Sequence, residues 1–220
     1  MEYKQLIESR WNRFTWNYDK EVSKESIVEV FKEVYMNVPT KNQMFPYYVT
    51  LYKNDDKQKR KDLVTICHRN VYKDIFTDPG NPQMLAPWII GISFRNVDEL
   101  EKRYDPLGDI WRSDDHIKQM NSFEAGMLST YIILGLHNRG YDTGLCQNCS
   151  NDPEGTMKII NSPTPPIFLL GVGYGADDKT YLDPRTNEVK NVPYNIDVAE
   201  SSRKKKFTEG NPSFTDVFRL

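Results

Sequence analysis

The chain has 220 residues, with 29 Lys and Arg against 31 Asp and Glu and a formal net charge of −2. That balance excludes binding driven by bulk attraction to nucleic acid or to an anionic membrane surface. Hydrophobic residues make up 38% of the sequence, enough for one core, and the length fits a single domain spanning residues 1–220.

The N-terminal "MEYKQLIESRW" sets Tyr3, Leu6, Ile7 and Trp11 at helical spacing and lacks the apolar core of a targeting signal. "SKESIVEVFKEVYMNV" predicts a clearer helix. Ser23 caps it, Ile27, Val30, Phe31, Val34 and Tyr35 form its apolar stripe, and Pro39 ends it. "YYVTLYK" predicts a strand by its β-branched and aromatic content. "KQKRKDLVTICHRNVYKDI" reads as a helix with a basic first half. "APWIIGISF" is short, almost wholly apolar and announced by a proline, which predicts a buried strand. Residues 97–119 are polar and irregular, with room for a helical excursion or a lid. In "SFEAGMLSTYIILGLHNRG", Phe123, Met127, Leu128, Tyr131, Ile132, Leu134 and Leu136 cover more than one helix face. Such a helix belongs in a core or at a subunit interface, and Gly140 suits its C-terminal cap. "PPIFLLGVGYG" predicts another buried strand. "ADDKTYLDPRTNEVKNVPYN" and "SSRKKKFTEGNPSFTDVFRL" read as loop with one basic cluster. Without repeats or a linker, helices and strands that mix rather than strictly alternate predict one domain, an α/β or α+β unit. No apolar run reaches a membrane span, and three cysteines cannot pair completely. The expectation is a cytoplasmic protein with no nucleic-acid or membrane partner.

Several short segments carry candidate chemistry. In "RWNRF", Arg10 and Arg13 converge on one target if the backbone turns between them, and Asn12 adds a neutral donor. Guanidinium forks match phosphate oxygens; the alternative is a pair of solvated arginines at a helix end. "PTKNQMFPYY" pins Thr40, Lys41, Asn42 and Gln43 between two prolines. These groups suit the edge of a heteroaromatic ring, or an ordinary helix-to-strand connector. "GVGYG" lacks the third glycine and the following helix of a dinucleotide fingerprint, so it reads as a glycine-rich strand end. "RKKK" at 203–206 offers either a phosphate ligand or a solvated tail. Cys146 and Cys149 form a C-x-x-C, but the remaining zinc ligands would be the adjacent Cys67 and His68, a poor pair. A dithiol redox motif would open a helix after an early strand. Neither metal nor dithiol chemistry is therefore expected. His116 and His137 stand alone, so no catalytic triad is indicated.

In their order, these segments resemble the nitroreductase family of FMN-dependent oxidoreductases over nearly the whole chain. "ESRWNRFTW" resembles its "RRS-x-R-x-F" signature, and "PTKNQMFPYY" its "PS-x-x-N-x-QPW" motif. "LAPWIIGIS" resembles "APxxIVV", and "FEAGMLSTYIILGLHNRGYDTGL" resembles the "A-x-x-NLxLAAxxxGLGT" helix. "DPEG" resembles the Pro-x-Glu-Gly of one branch, and "PIFLLGVGYG" the "ALGYP" strand. The resemblance implies an α+β fold with a central, mostly antiparallel sheet flanked by helices, in a domain-swapped style homodimer with two FMN molecules at the interface. It implies that Arg10, Asn12 and Arg13, with Trp11 in the same segment, hold the FMN phosphate and ribityl chain, with Lys204 and Lys206 approaching from the tail. It implies Thr40, Lys41 and Asn42 from the neighbouring subunit and Asn81 and Gln83 near the pyrimidine edge. Glu154 and Gly155 would then offer backbone N–H groups toward N5.

The implied activity is ping-pong transfer from NAD(P)H to an electron-poor small molecule such as a nitroaromatic, quinone or flavin. The flavin carries the hydride and no side chain is catalytic. Related flavin chemistry, such as dehalogenation or flavin fragmentation, is the alternative within that resemblance. Trp11, Asn12, Gln43 and Phe45 depart from the family pattern, which motivates a rival reading: a flavin-binding protein without turnover.

Overall fold

The computed structural model describes residues 2–9, 12–40, 45–67, 81–95, 114–176, 180–182 and 188–191. In chain order the elements are α1 (Tyr3–Ser9), β1 (Trp16–Asn17), α2 (Lys24–Asn37), β2 (Tyr47–Lys53), α3 (Lys57–Ile66), β3 (Trp88–Phe94), α4 (Asp114–Asn138), β4 (Asp142–Cys146), α5 (Pro153–Ile160), β5 (Pro166–Gly175), β6 (Thr180–Leu182) and β7 (Val189–Asn191). Short 3-10 turns at Pro82–Leu85 and Asn148–Asn151 precede β3 and α5.

β5 organises the sheet. Antiparallel β3 lies along one edge, pairing Trp88 with Val172 and Ile90 with Leu170. The other edge takes β4, with Asp142 opposite Gly173 and Cys146 opposite Leu169, and then the two residues of β1, with Trp16 opposite Gly175. β2 completes the sheet beyond β3, as an antiparallel partner running from Tyr47↔Phe94 to Lys53↔Trp88. The expected α+β architecture, an antiparallel sheet flanked by helices, is the architecture observed.

Strand alternation divides the core. Ile90, Ile92, Leu170 and Val172 face one side, where they meet Ile27, Val30 and Val34 of α2 and Leu128, Ile132 and Leu136 of α4. Ile89 and Leu169 face the other side, with Leu63 and Val64 of α3, Ile160 of α5 and Trp16. Each such side chain contributes roughly 1.5–3 kcal/mol by leaving water. Ser23 caps α2 as expected, its hydroxyl accepting from Ser26 N at 3.2 Å. The indoles are tied as well as buried: Trp88 Nε1 donates to Val22 O at 2.9 Å and Trp16 Nε1 to Pro82 O at 3.0 Å.

Glycines set the closest approaches. A Cβ on Gly171 would lie 2.4 Å from the Gln83 carbonyl oxygen and 2.9 Å from Ala86 Cβ; one on Gly173 would lie 2.8 Å from the Trp16 ring. The "GVGYG" run is thus a strand whose bare face receives Trp16 and the turn at Pro82–Leu85.

Five elements depart from the sequence reading. Residues 180–182 and 189–191 form a β6–β7 hairpin within a segment expected to be loop. α4 begins at Asp114, inside the stretch expected to be irregular. β4 and α5 were not foreseen, although Asp152–Pro153 carries a helix-start signal, with a capping carboxylate followed by proline at the first position. No helix among the described residues is long and apolar enough to cross a membrane. Replacing Gly171 with alanine should destabilise the fold by about 1–3 kcal/mol, because the Cβ meets backbone rather than a yielding side chain; urea denaturation measures it.

Candidate functional site

Two of the predicted segments meet on β4. Arg13 N donates to Thr143 O at 2.9 Å, and Asn12 bridges Thr143 in parallel fashion. The Asn12 side-chain oxygen accepts from Leu145 N at 3.1 Å. From the other direction, Asn81 Nδ2 donates to Cys146 Sγ at 3.1 Å, while Asn81 Oδ1 accepts from Gln83 N at 3.1 Å. The two segments converge at Gly144. A Cβ there would lie 2.6 Å from the Arg13 carbonyl oxygen, 3.2 Å from Gln83 Cβ and 3.3 Å from the Trp16 ring.

The Arg13 guanidinium is held at the end of the sheet. Its Nε donates to Asp142 Oδ1 at 3.0 Å, and Asp142 Oδ2 accepts from Gly175 N at 2.8 Å. Gln83 supplies a contrasting group. It is 4% exposed, and its side-chain amide is not one of the fully buried polar atoms left without a partner. The donor set, a fixed guanidinium at the strand end by Gly175 and the Gln83 amide further along toward Gly171, suits a ligand with an anionic end and a hydrogen-bonding ring edge.

Other predicted residues stand apart from this group. Thr40 Oγ1 donates to Glu124 Oε2 at 2.6 Å and accepts from Phe45 N at 3.1 Å. This places Thr40 against α4, near the start of edge strand β2, at the far edge of the sheet from β4. The Tyr47 hydroxyl is buried nearby without a hydrogen-bond partner, and burial together with the Glu124 charge pushes the phenol up to about 12. Glu154 is exposed in the first turn of α5, while Gly155 N donates to the capping Asp152 Oδ1 at 2.9 Å. That N–H is engaged by the helix cap. Arg10, Trp11, Lys41, Asn42, Lys204 and Lys206 lie outside the described residues.

The fold gathers Cys67, Cys146 and Cys149 into the cluster beneath α3 and α5, all buried and all free thiols. A hydrogen bond with Cys146, followed by burial, pushes the Cys67 thiol far up; burial pushes Cys149 up to about 12. Among the described residues no group of three His, Cys, Asp or Glu is placed to hold a metal ion. Asp142 went unnoticed in the sequence, and no local signal marks it, because its partner lies 129 positions away.

No protein-family model matches the chain, and no curated protein matches it. Solved structures do. NfrA1 nitroreductase from B. subtilis matches with a TM-score of 0.62 at 12% identity, over 98% of this chain and 90% of that one. A nitroreductase-type protein in complex with FMN from Exiguobacterium sibiricum 255-15 matches with 0.60 at 15% identity, over 80% and 90%. The FMN and NADPH-dependent nitroreductase NfnB from Sphigopyxis sp. strain HMH matches with 0.58 at 10% identity, over 80% and 90%. The chain has the nitroreductase fold.

The raised thiols make a pH prediction. A group whose folded pKa lies above its unfolded value stabilises the fold fully below the unfolded value and progressively less as pH rises through the folded one. For Cys149 that window runs from 9.0 to about 12. The native protein should resist thiol reagents at neutral pH, and its urea midpoint should fall across that window, less steeply in Cys149→Ala.

Proposed function

We propose that this protein is an FMN-dependent oxidoreductase that uses NAD(P)H to reduce an electron-poor small molecule, such as a nitroaromatic, a quinone or a flavin. The observation that carries this reading is the meeting of residues 12–13 and 81–83 on β4, in a fold whose neighbours include one protein in complex with FMN and another that is FMN and NADPH-dependent. The Arg13 guanidinium serves the phosphate, joined by Arg10 from the same segment and by Lys204 and Lys206 from the tail. The Gln83 amide serves the ring edge. Asn81 acts through Gln83, since both ends of its own amide are already engaged. Asn12 fixes the segment to β4 rather than reaching outward. Bound FMN supplies the hydride and electron transfer, so the protein's part is binding, orientation and exclusion of water.

The reading extends to a homodimer in which Thr40, Lys41 and Asn42 complete the neighbouring subunit's site. Thr40's location at the far edge of the sheet supports this, because within one chain it does not join the Arg13 group. So do the apolar side chains left on the helical surface. Phe123 and Tyr131 on α4 are 64% and 40% exposed, and Tyr35 and Met36 on α2 are 61% and 76% exposed. Large exposed apolar groups at neighbouring positions mark an association surface. Cytoplasmic residence belongs to the same reading.

One observation favours a second reading, a flavin binder without turnover. The Gly155 N–H expected near N5 is engaged by Asp152.

Two measurements check these readings. The purified protein should hold FMN at about one per chain, the stoichiometry of one guanidinium-and-amide site, and bound flavin should bleach when NADH or NADPH is added without oxygen. Failure to take up added FMN would sink the oxidoreductase reading. Flavin that binds but does not bleach with either nucleotide would favour the binder. Separately, Phe123→Glu combined with Tyr131→Glu should convert a dimer to a monomer in analytical ultracentrifugation, because it places two charges in a surface that association would desolvate.

A further inference from the structure

Asp142 opens β4, and both of its carboxylate oxygens are used. Oδ1 accepts from Arg13 Nε at 3.0 Å and Oδ2 from Gly175 N at 2.8 Å. Gly175 is the last residue of β5, and its missing side chain makes the arrangement possible. A Cβ there would lie 2.6 Å from both Arg13 Nε and Cζ, and 2.8 Å from Asp142 Oδ2. The guanidinium therefore lies directly against the strand end. Its backbone is fixed too, through Arg13 N to Thr143 O. The Arg13 and Asp142 side chains are 19% and 20% exposed, so the pair is sheltered yet reachable from solvent.

An ordinary surface ion pair holds two long side chains loosely and contributes little to stability. This one differs because the carboxylate also receives a backbone N–H at a strand end, which fixes its orientation. A guanidinium carries five N–H donors in a rigid plane, so fixing it through Nε fixes the direction of its terminal nitrogens as well. Pairing also cancels the net charge of the corner. What remains to recognise an anion is directed hydrogen bonding, which depends on geometry more than on charge.

We propose that Asp142 is a positioning residue, holding the Arg13 guanidinium against Gly175 so that its terminal N–H groups meet a phosphate monoester. In the reading above, on which this inference rests, that group is the FMN phosphate. Arg13 touches the ligand and Asp142 acts through Arg13.

Affinities for FMN and riboflavin, read from flavin fluorescence, test this, since the two ligands differ only in the phosphate. Wild type should prefer FMN. Asp142→Asn, similar in shape but uncharged, should weaken FMN by about tenfold, the scale of one charge-assisted hydrogen bond, and leave riboflavin unchanged. Arg13→Lys keeps the charge and loses the fork, and should reduce the preference similarly. Adding Asp142→Asn to Arg13→Lys should cause no further loss. Gly175→Ala, which displaces the guanidinium, provides the same readout should Asp142→Asn fail to fold.

Equal weakening of both ligands would reduce Asp142 to a structural role and overturn the proposal. Unchanged FMN affinity in Asp142→Asn, or additive losses in the double variant, would overturn it too. A wild type that binds FMN and riboflavin equally would overturn it while leaving the flavin reading intact. A wild type that binds neither would overturn both.

Discussion

Alternate glycines on β5 are the constraint on which the rest of the structure depends. Gly171, Gly173 and Gly175 point the same way along the central strand, and side chains there would collide with Gln83, Trp16 and Arg13 in turn. The bare face lets the N-terminal segment and the turn before β3 lie directly on the sheet. Trp16 is the wedge between them. Its ring covers the glycines and its Nε1 bonds to Pro82 O, so one residue joins both segments. The candidate site lies along the margin of that packing: Arg13 at the strand end and Gln83 further in.

The opposite face of the sheet is built by a different rule. There α2 and α4 press large aliphatic side chains onto Ile90, Ile92, Leu170 and Val172. Close packing of the helices needs one small residue, Gly135, whose Cβ would lie 2.8 Å from Val30 Cγ1. Into this apolar layer α4 also carries Glu124, 1% exposed, with Thr40 as its hydrogen-bond donor. A buried carboxylate is costly unless hydrogen-bonded, so Thr40 has a role in one chain whatever it does across an interface.

Much of the fold was legible because its central strands and α2 have strong patterns. β2 runs over Tyr47–Lys53, the same "YYVTLYK" that its β-branched and aromatic content marked. β3 is an apolar run announced by Pro87, and β5 is one that opens on Pro166 and closes on Gly175. β4 was illegible for a physical reason. "DTGLC" has little β propensity and is a strand because β5 offers it an edge. α5 is a different case. Asp152 and Pro153 carry a helix-start signal, but the sequence reading takes the segment only as the Pro-x-Glu-Gly of the resemblance. In the site, residue types could be read and partners could not. Nothing near Arg13 in sequence points to Asp142, and nothing near Cys146 points to Asn81. In the folded chain the thiols of the C-x-x-C fill space in the cluster formed by α3, β4 and α5.

The link from Arg13 to Asp142 also bears on the order in which the molecule comes together. It spans 129 positions, and Trp16 pairs with Gly175 across an even longer stretch of chain. Closing such loops costs entropy that only later contacts repay, and folds rich in distant contacts form slowly. During synthesis the Arg13 segment emerges ahead of β4 and β5 and finds its neighbours only after they have been made. The guanidinium corner is thus absent from every shorter intermediate, and a chain interrupted before Gly175 lacks it altogether. Competence to bind at this corner arrives with the completed sheet, so that residues made before β4 and β5 are among the last to take their place.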